Sequence, residues 1–156
     1  TIAVAYDGRR EARAALEAVV PTAVRLKAKL LLLGAIEPDT VPAIALIGAV
    51  TDLDERLREE MQARLDEGAA LLPANVEVET QVVPGVGGPA IVVACRQHGA
   101  DLLVSGSRGY GPVRSVMLGS VSRYLVDHAP CPVVVMARGA AVRLDRAPAE
   151  PAVAGV

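Results

Sequence analysis

Short runs of apolar residues alternate along this chain with longer segments in which apolar residues recur every three or four positions. The runs at 2–6, 30–36, 101–104 and 132–136 are mostly apolar, which is typical of strands buried on both faces of a parallel sheet. Residues 76–83 instead alternate apolar and polar side chains. They predict a more exposed strand at an edge of the sheet.

Helical periodicity fills the intervals between these runs. The predicted helices cover residues 9–28, 53–72, 89–98 and 121–127. Thr51 or Asp52 is a suitable N-cap for the second helix. Because helical crossovers between strands produce a parallel sheet with helices on both faces, the order predicts an α/β fold with a doubly wound sheet of five parallel strands. The pattern stops at Arg138, so we expect one domain over 1–138 and a flexible tail over 139–156.

The composition narrows the choice of function. Hydrophobic residues make up 52% of the chain, aromatic residues are restricted to three Tyr, and the net charge of −2 argues against a nucleic-acid-binding protein. No apolar stretch reaches the about 20 residues of a membrane helix, and no signal-peptide pattern opens the sequence. Cys95 and Cys131 show neither metal-site nor disulfide spacing, so we expect reduced, buried thiols and a cytoplasmic protein.

A glycine-rich segment carries the strongest chemical signal. Ser105-Gly106-Ser107-Arg108-Gly109 follows a predicted strand, and Gly119-Ser120 opens a predicted helix, with nine residues between Gly109 and Gly119. Glycines let the backbone approach a ligand closely, and a helix N-terminus attracts anions. The segment therefore predicts a phosphate cradle formed by the three glycines, with Ser120 and Ser122 as hydroxyl donors and Arg108 and Arg114 screening the phosphate charge.

Asp7 follows the first predicted strand. If the first and fourth strands are neighbours, Asp7 and the glycine-rich segment face one crevice at the ends of these strands. Its carboxylate could accept a hydrogen bond from a ribose hydroxyl or an adenine amine. On these residues alone a second interpretation stays open. The glycines would then form an ordinary loop, and Asp7-Gly8 would be only a turn.

The glycine-rich segment resembles the ATP-binding motif of the universal stress protein family. The resemblance rests on Gly106-x-x-Gly109 followed after nine residues by Gly119-Ser120, and on the flanking residues 4–8, 30–36, 101–109, 118–122 and 128–135. It covers about residues 1–138. It implies ATP or AMP as the ligand, a sheet with strand order 3-2-1-4-5, and a homodimer.

The glycine-rich segment and the resemblance to the family together give a set of candidate binding residues. They are Asp7, Ala35, Ser105, Gly106, Arg108, Gly109, Gly119, Ser120, Val121 and Ser122. The resemblance implies that Asp7 and the Ala35 backbone hold the adenosine and that Gly109, Gly119, Ser120 and Val121 surround the ribose and phosphates. The sequence departs from the family at Gly34-Ala35, where His-Val is common, and at Arg9, where Ser is common.

These features predict a stress-response module that binds an adenine nucleotide without rapid turnover, because the loop contains no Gln, Glu or His to activate water. Magnesium could accompany the phosphates, but no carboxylate cluster suggests a dedicated metal site. Two alternatives remain: a slow, metal-assisted hydrolase that uses Asp7, and a nucleotide-free dimeric interaction protein. We expect a homodimer through the last strand, Val133–Met136. The apolar patch 43–47 suits a lid, a partner surface or a core helix equally well.

Overall fold

The computed structural model describes residues 1–36, 50–107 and 118–136. Strands and helices alternate along these residues. In chain order they are β1 (Ile2–Ala5), α1 (Arg10–Leu26), β2 (Leu30–Ile36), α2 (Val50–Ala70), β3 (Val78–Pro84), α3 (Gly87–Gln97), β4 (Leu102–Gly106), α4 (Ser120–His128) and β5 (Val133–Met136). The α/β fold expected from the hydrophobic pattern is confirmed.

All strands belong to one parallel sheet in the order β3-β2-β1-β4-β5. The expected strand order is therefore confirmed. β1 lies at the centre, where Val4 is in register with Leu32 of β2 on one side and with Val104 of β4 on the other. The chain adds strands in one direction from β1 to β3 and then returns to add β4 and β5 on the other side. The carboxyl ends of β1 and β4 thus border the point at which the strand order reverses, the usual place for a ligand in such sheets.

The leucines of β2 show why its sequence is continuously apolar. Leu30, Leu31, Leu32 and Leu33 are all fully buried. Successive side chains of a strand point to opposite faces, so Leu30 and Leu32 join a core formed with α1 and α2, whereas Leu31 and Leu33 join a core formed with α3 and α4. A sheet covered on both faces requires this apolar run. β3, by contrast, is mostly half-buried at an edge of the sheet, as its alternating pattern predicts.

The helix starts differ from the sequence-based expectation in two places. α2 begins at Val50, so Thr51 and Asp52 lie inside its first turn and neither precedes the helix as an N-cap. α4 begins at Ser120, and its N-cap position is taken by Gly119, whose backbone is extended. An N-cap residue needs extended backbone dihedrals just before the helix. The tertiary context determines which residue adopts them, and residue type alone does not.

The two thiols differ in their surroundings. Cys95 lies on the buried face of α3, whereas Cys131 is half-buried, and both are free. Burial raises the pKa of the Cys95 thiol to about 12, so this side chain behaves as an unreactive core residue. The expectation of free thiols is confirmed, although only Cys95 is fully buried.

The remaining expectations about segments concern residues outside the described ranges. These are the patch 43–47, the loop residues Arg108, Gly109 and Arg114, and the tail 139–156. Among the helices of the described residues, none has the length and apolar character needed to cross a bilayer.

Candidate functional site

A cavity opens at the carboxyl ends of the central strands. The described residues around it enclose about 320 Å³, at the lower end of the about 300–1,000 Å³ typical of small-molecule sites. Its lining consists of Ala5, Tyr6, Asp7, Arg9, Glu11, Ala12, Ala35, Met61, Arg64, Gly87, Ile91, Ser105, Gly106, Gly119, Val121 and Ser122. The structure therefore brings Asp7, Ala35 and the described ends of the glycine-rich segment to a single cavity.

Two helices direct their N-termini toward this cavity without a side-chain cap. The N-cap residues are Val86 for α3 and Gly119 for α4, and neither has a side-chain hydrogen bond to its helix. Gly87 and Gly119 both line the cavity. The first backbone N–H groups of a helix have no intrahelical acceptor, and the helix dipole places partial positive charge there. This end of the cavity therefore favours an anionic group.

Asp7 forms a turn and also lines the cavity. Its Oδ1 accepts a hydrogen bond from the Arg9 backbone N–H at 3.0 Å, and its Oδ2 lies 3.6 Å from Arg9 Nε. The intervening Gly8 has φ of 76°, a left-handed conformation that favours glycine. Asp7 is thus a turn residue that supports the start of α1. Its side chain also remains 44% exposed and lines the cavity.

Gly106 is required by packing at the end of β4. A Cβ atom at this position would lie 2.5 Å from the carbonyl oxygen of Glu11 and 3.1 Å from the backbone nitrogen of Ala12. These are backbone atoms of the first turn of α1, so they cannot move aside as a flexible side chain would. The first glycine of the segment thereby lets β4 meet α1, and it fixes where the segment leaves the sheet.

Two buried serines tie α4 to β4. Ser122 Oγ donates to the carbonyl oxygen of Gly106 at 3.0 Å, and Ser105 Oγ lies 3.1 Å from Ser122 Oγ. Both residues are 4% exposed. The hydroxyl proton of Ser122 is therefore used within the protein, which differs from the phosphate-donor role expected from the sequence. Ser120 is exposed and does not belong to the cavity lining.

Several lining residues were not anticipated from the sequence. Met61 and Arg64 come from α2, and Gly87 and Ile91 come from the first turns of α3. Met61 belongs to an apolar helical stripe and Arg64 to a charged helix face, patterns that core and surface residues share. No signal in the sequence distinguishes them. Arg108 and Gly109 of the candidate set lie outside the described residues.

The acidic and imidazole groups in the described ranges do not form a metal centre. No group of three His, Cys, Asp or Glu side chains in residues 1–36, 50–107 and 118–136 is close enough to hold an ion. The carboxylates in the cavity lining are Asp7 and Glu11, which follow the end of β1 and begin α1. Within the described part of the chain, the site offers helix N-termini, small residues and arginines to a ligand.

Comparison with known proteins places these features in one family. The family model described as Universal stress protein family matches residues 1–137. A curated universal stress protein of Thermus aquaticus is 35% identical over 136 residues, which cover 87% of this chain and 97% of that protein. A putative universal stress protein of Staphylococcus aureus (strain USA300) is 32% identical over 153 residues, covering 96% of this chain and 87% of the relative.

Solved structures show the same fold. A universal stress protein family structure from Burkholderia pseudomallei superposes with a TM-score of 0.68 at 27% identity, covering 86% of this chain and 93% of that one. An Arabidopsis thaliana family structure with AMP bound has a TM-score of 0.56 at 24% identity, covering 89% and 92% of the two chains. A universal stress protein in complex with cAMP has a TM-score of 0.62 at 22% identity, covering 86% and 94%.

The Ser122 hydrogen bond generates a prediction about stability. Ser122→Ala removes the donor to the Gly106 carbonyl, and the nearest remaining hydroxyl, that of Ser105, lies 3.4 Å from that oxygen. We expect the free energy of unfolding, measured by urea denaturation, to fall by about 1–3 kcal/mol.

Ser120→Ala is the matched control, because it makes the same change two residues earlier on an exposed side chain. We expect its free energy of unfolding to stay within about 0.5 kcal/mol of the wild type. Equal losses in the two variants would contradict the structural role given to Ser122.

Proposed function

This chain belongs to the universal stress protein family, and on that basis we propose that it is a stress-response module that binds an adenine nucleotide, ATP or AMP, in the cavity at the ends of β1 and β4. The observation that carries the proposal is the convergence at this cavity of two helix N-termini without side-chain caps, at Gly87 and Gly119. Both are glycines, so no side chain stands between the backbone N–H groups and a phosphate.

The cavity matches a nucleotide in the distribution of its polar groups. Gly119, Ser105 and Gly106 lie on the side of β1 that carries β4 and α4. Gly87 reaches the same end, because a Cβ atom there would lie 3.1 Å from Val121 Cγ2 of α4, so both helix N-termini favour phosphate at this end. Asp7 and Ala35 lie at the ends of β1 and β2, on the other side. We assign the phosphates to the first group and the adenosine to the second. α4 begins beside the phosphates with Ser120, Val121 and Ser122. To these proposed phosphate-binding residues we add Arg108 and Gly109 of the glycine-rich segment.

Two solved structures that share this fold support an adenine nucleotide as the ligand. One is described as having AMP bound and the other as a complex with cAMP. Each has a monophosphate on an adenosine. The present cavity, with about 320 Å³ among its described residues, is of the size class that such a ligand needs. ATP would extend its further phosphates, with magnesium carried on them, toward the glycine-rich segment.

Binding is tested directly with purified protein. We expect denaturation to release bound ATP or AMP, or calorimetry to show micromolar binding of one of them, measured with and without magnesium. Gly119→Val should reduce the affinity at least about a hundredfold, because its side chain would cover the N–H groups at the start of α4. The Gly119 backbone has φ of −63° and ψ of 164°, values that valine adopts without strain.

Ala63→Val is the control for this substitution, because it also introduces a valine, but on the exposed surface of α2 and outside the cavity lining. It should bind like the wild type. A wild-type protein that carries no nucleotide and ignores both ATP and AMP would refute the proposal and favour the nucleotide-free interaction protein.

We propose that the nucleotide is held as a ligand without rapid hydrolysis. Hydrolysis needs a group that positions or deprotonates water. Neither Gln nor His lines the described part of the cavity. Of its two carboxylates, Asp7 accepts a hydrogen bond from the Arg9 backbone, and Glu11 belongs to the first turn of α1. We expect a turnover number well below about 1 s⁻¹, the low end of ordinary enzymes, in a phosphate-release assay with magnesium and ATP.

The Asp7→Asn variant separates this proposal from the hydrolase alternative. An enzyme that uses Asp7 would turn over ATP in the wild type and lose that turnover in the variant while keeping the nucleotide bound. A wild-type turnover number above about 1 s⁻¹ would decide against a simple binding module.

The exposed edge of β5 supports a homodimer. β5 is the last strand of the sheet, and Val134 is 36% exposed there. An apolar edge strand with unpaired backbone groups favours association with another chain. We expect light scattering at micromolar concentration to give the mass of a dimer, and Val134→Lys to shift it toward the monomer. A wild-type monomer would contradict this part of the proposal.

A further inference from the structure

We propose that α2 forms the wall of the site that contacts the nucleobase, with Arg64 and Met61 as the residues that stack on the base. This inference rests on the proposed function and assigns a role to residues that neither the glycine-rich segment nor the strand ends provide. Three observations support it: the order of the strands, the positions of the two side chains, and the absence of an accessible aromatic ring in the described cavity lining.

The strand order gives the cavity two distinct sides. β4 and α4, with the helix N-terminus at Ser120, lie on one side of β1, and β2 lies on the other. α2 packs against β2 and β3, so it borders the side away from α4. When the phosphates occupy the anion-favouring side, the base extends toward Ala35 and α2. Met61 and Arg64 are the α2 residues that reach the cavity.

Met61 lies directly over the backbone of β2. A Cβ atom on Gly34 would be 2.6 Å from Met61 Sδ and 2.7 Å from Met61 Cγ, so the thioether occupies the space that a side chain at Gly34 would need. Met61 is 7% exposed and lines the cavity next to Ala35. Thioether sulfur makes favourable contacts with aromatic rings. Met61 therefore presents a polarisable apolar surface at the base end.

Arg64 follows Met61 by three residues and lies over the turn after β1. A Cβ atom on Gly8 would be 3.2 Å from the Cβ, Cγ and Cδ atoms of Arg64, so the aliphatic part of this side chain packs on Gly8. The guanidinium lies 3.7 Å from Glu60 and remains about half exposed. A guanidinium can stack on the face of an aromatic ring and can donate hydrogen bonds to ring nitrogens. Arg64 is thus placed to cover a base that lies against Asp7 and Ala35.

The described cavity lining offers no open aromatic ring to a base, so a contact between the base and Arg64 becomes important. Among the described lining residues the aromatic side chain is Tyr6, and it is only 2% exposed. Its ring packs against α2, where a Cβ atom on Gly68 would be 2.7 Å from Tyr6 Cζ. The ring is therefore held within the core and offers no open face to a base. Stacking by the described residues must come from the guanidinium and the thioether of α2.

The test compares a ligand that has a base with one that lacks it. Affinities for AMP and for ribose 5-phosphate are measured by calorimetry or by competition against bound AMP. We expect Arg64→Ala to weaken AMP binding about five- to thirtyfold, the range of a desolvated contact between a cation and an aromatic ring. Its affinity for ribose 5-phosphate should remain within about twofold of the wild type, because that ligand does not reach α2.

Arg58→Ala is the matched control, since Arg58 is an exposed arginine of the same helix that does not line the cavity. It should leave both affinities unchanged. Met61→Leu keeps an apolar side chain of similar volume and should retain AMP binding, whereas Met61→Gln places an amide against the base and should weaken AMP selectively. Urea denaturation of each variant identifies any loss of binding that is caused by unfolding.

The outcomes separate this inference from the proposed function. If Arg64→Ala weakens AMP and ribose 5-phosphate equally, the arginine acts on the phosphate and the inference is overturned while nucleotide binding stands. If it changes neither affinity, α2 does not contact the base and the inference is again overturned. If the wild type binds neither ligand, the proposed function fails, and the inference fails with it.

Discussion

The cavity depends on the close approach of β4 to α1 at Gly106, where a single added carbon would meet the backbone of Glu11. This contact determines how far the end of β4 lies from the first turn of α1. The carbonyl group of Gly106 also accepts the hydrogen bond from Ser122, which ties the start of α4 to the same point. One glycine therefore positions two helices relative to the sheet. The helix N-terminus that we assign to the phosphates is located by this packing before any ligand binds.

The electrostatic character of the site comes mainly from the backbone. The chain has a net charge of −2, yet the cavity lies at helix N-termini, where partial positive charge is concentrated. Arg9 and Arg64 add full positive charges at its border, and Asp7 neutralises part of that of Arg9. A negative protein can thus present a local anion site, because the dipoles of short helices act over a few ångströms whereas net charge describes the whole surface.

The packing between α2 and β2 shows how a helix fills the space left by small residues in a strand. Gly34 and Ala35 leave space at the end of β2, and Met61 occupies the space over Gly34. The wall at that end is therefore contributed by the next described helix, α2. A flexible thioether fills an irregular gap well, and it leaves the adjacent Ala35 backbone open to the cavity.

Local sequence patterns determined much of this protein. The continuous leucines of β2 require burial on both faces of a sheet, and the alternation of residues 76–83 predicts an edge strand. Gly106 and Gly119 were predicted to lie at one site, and both line the cavity. Only the tertiary structure decided that Ser122 donates to Gly106, that α2 begins before Thr51, and that Met61 and Arg64 reach the cavity. The reason is physical: the hydrogen bond and the cavity contacts depend on distances between separate elements, and those distances follow from how side chains pack across the sheet.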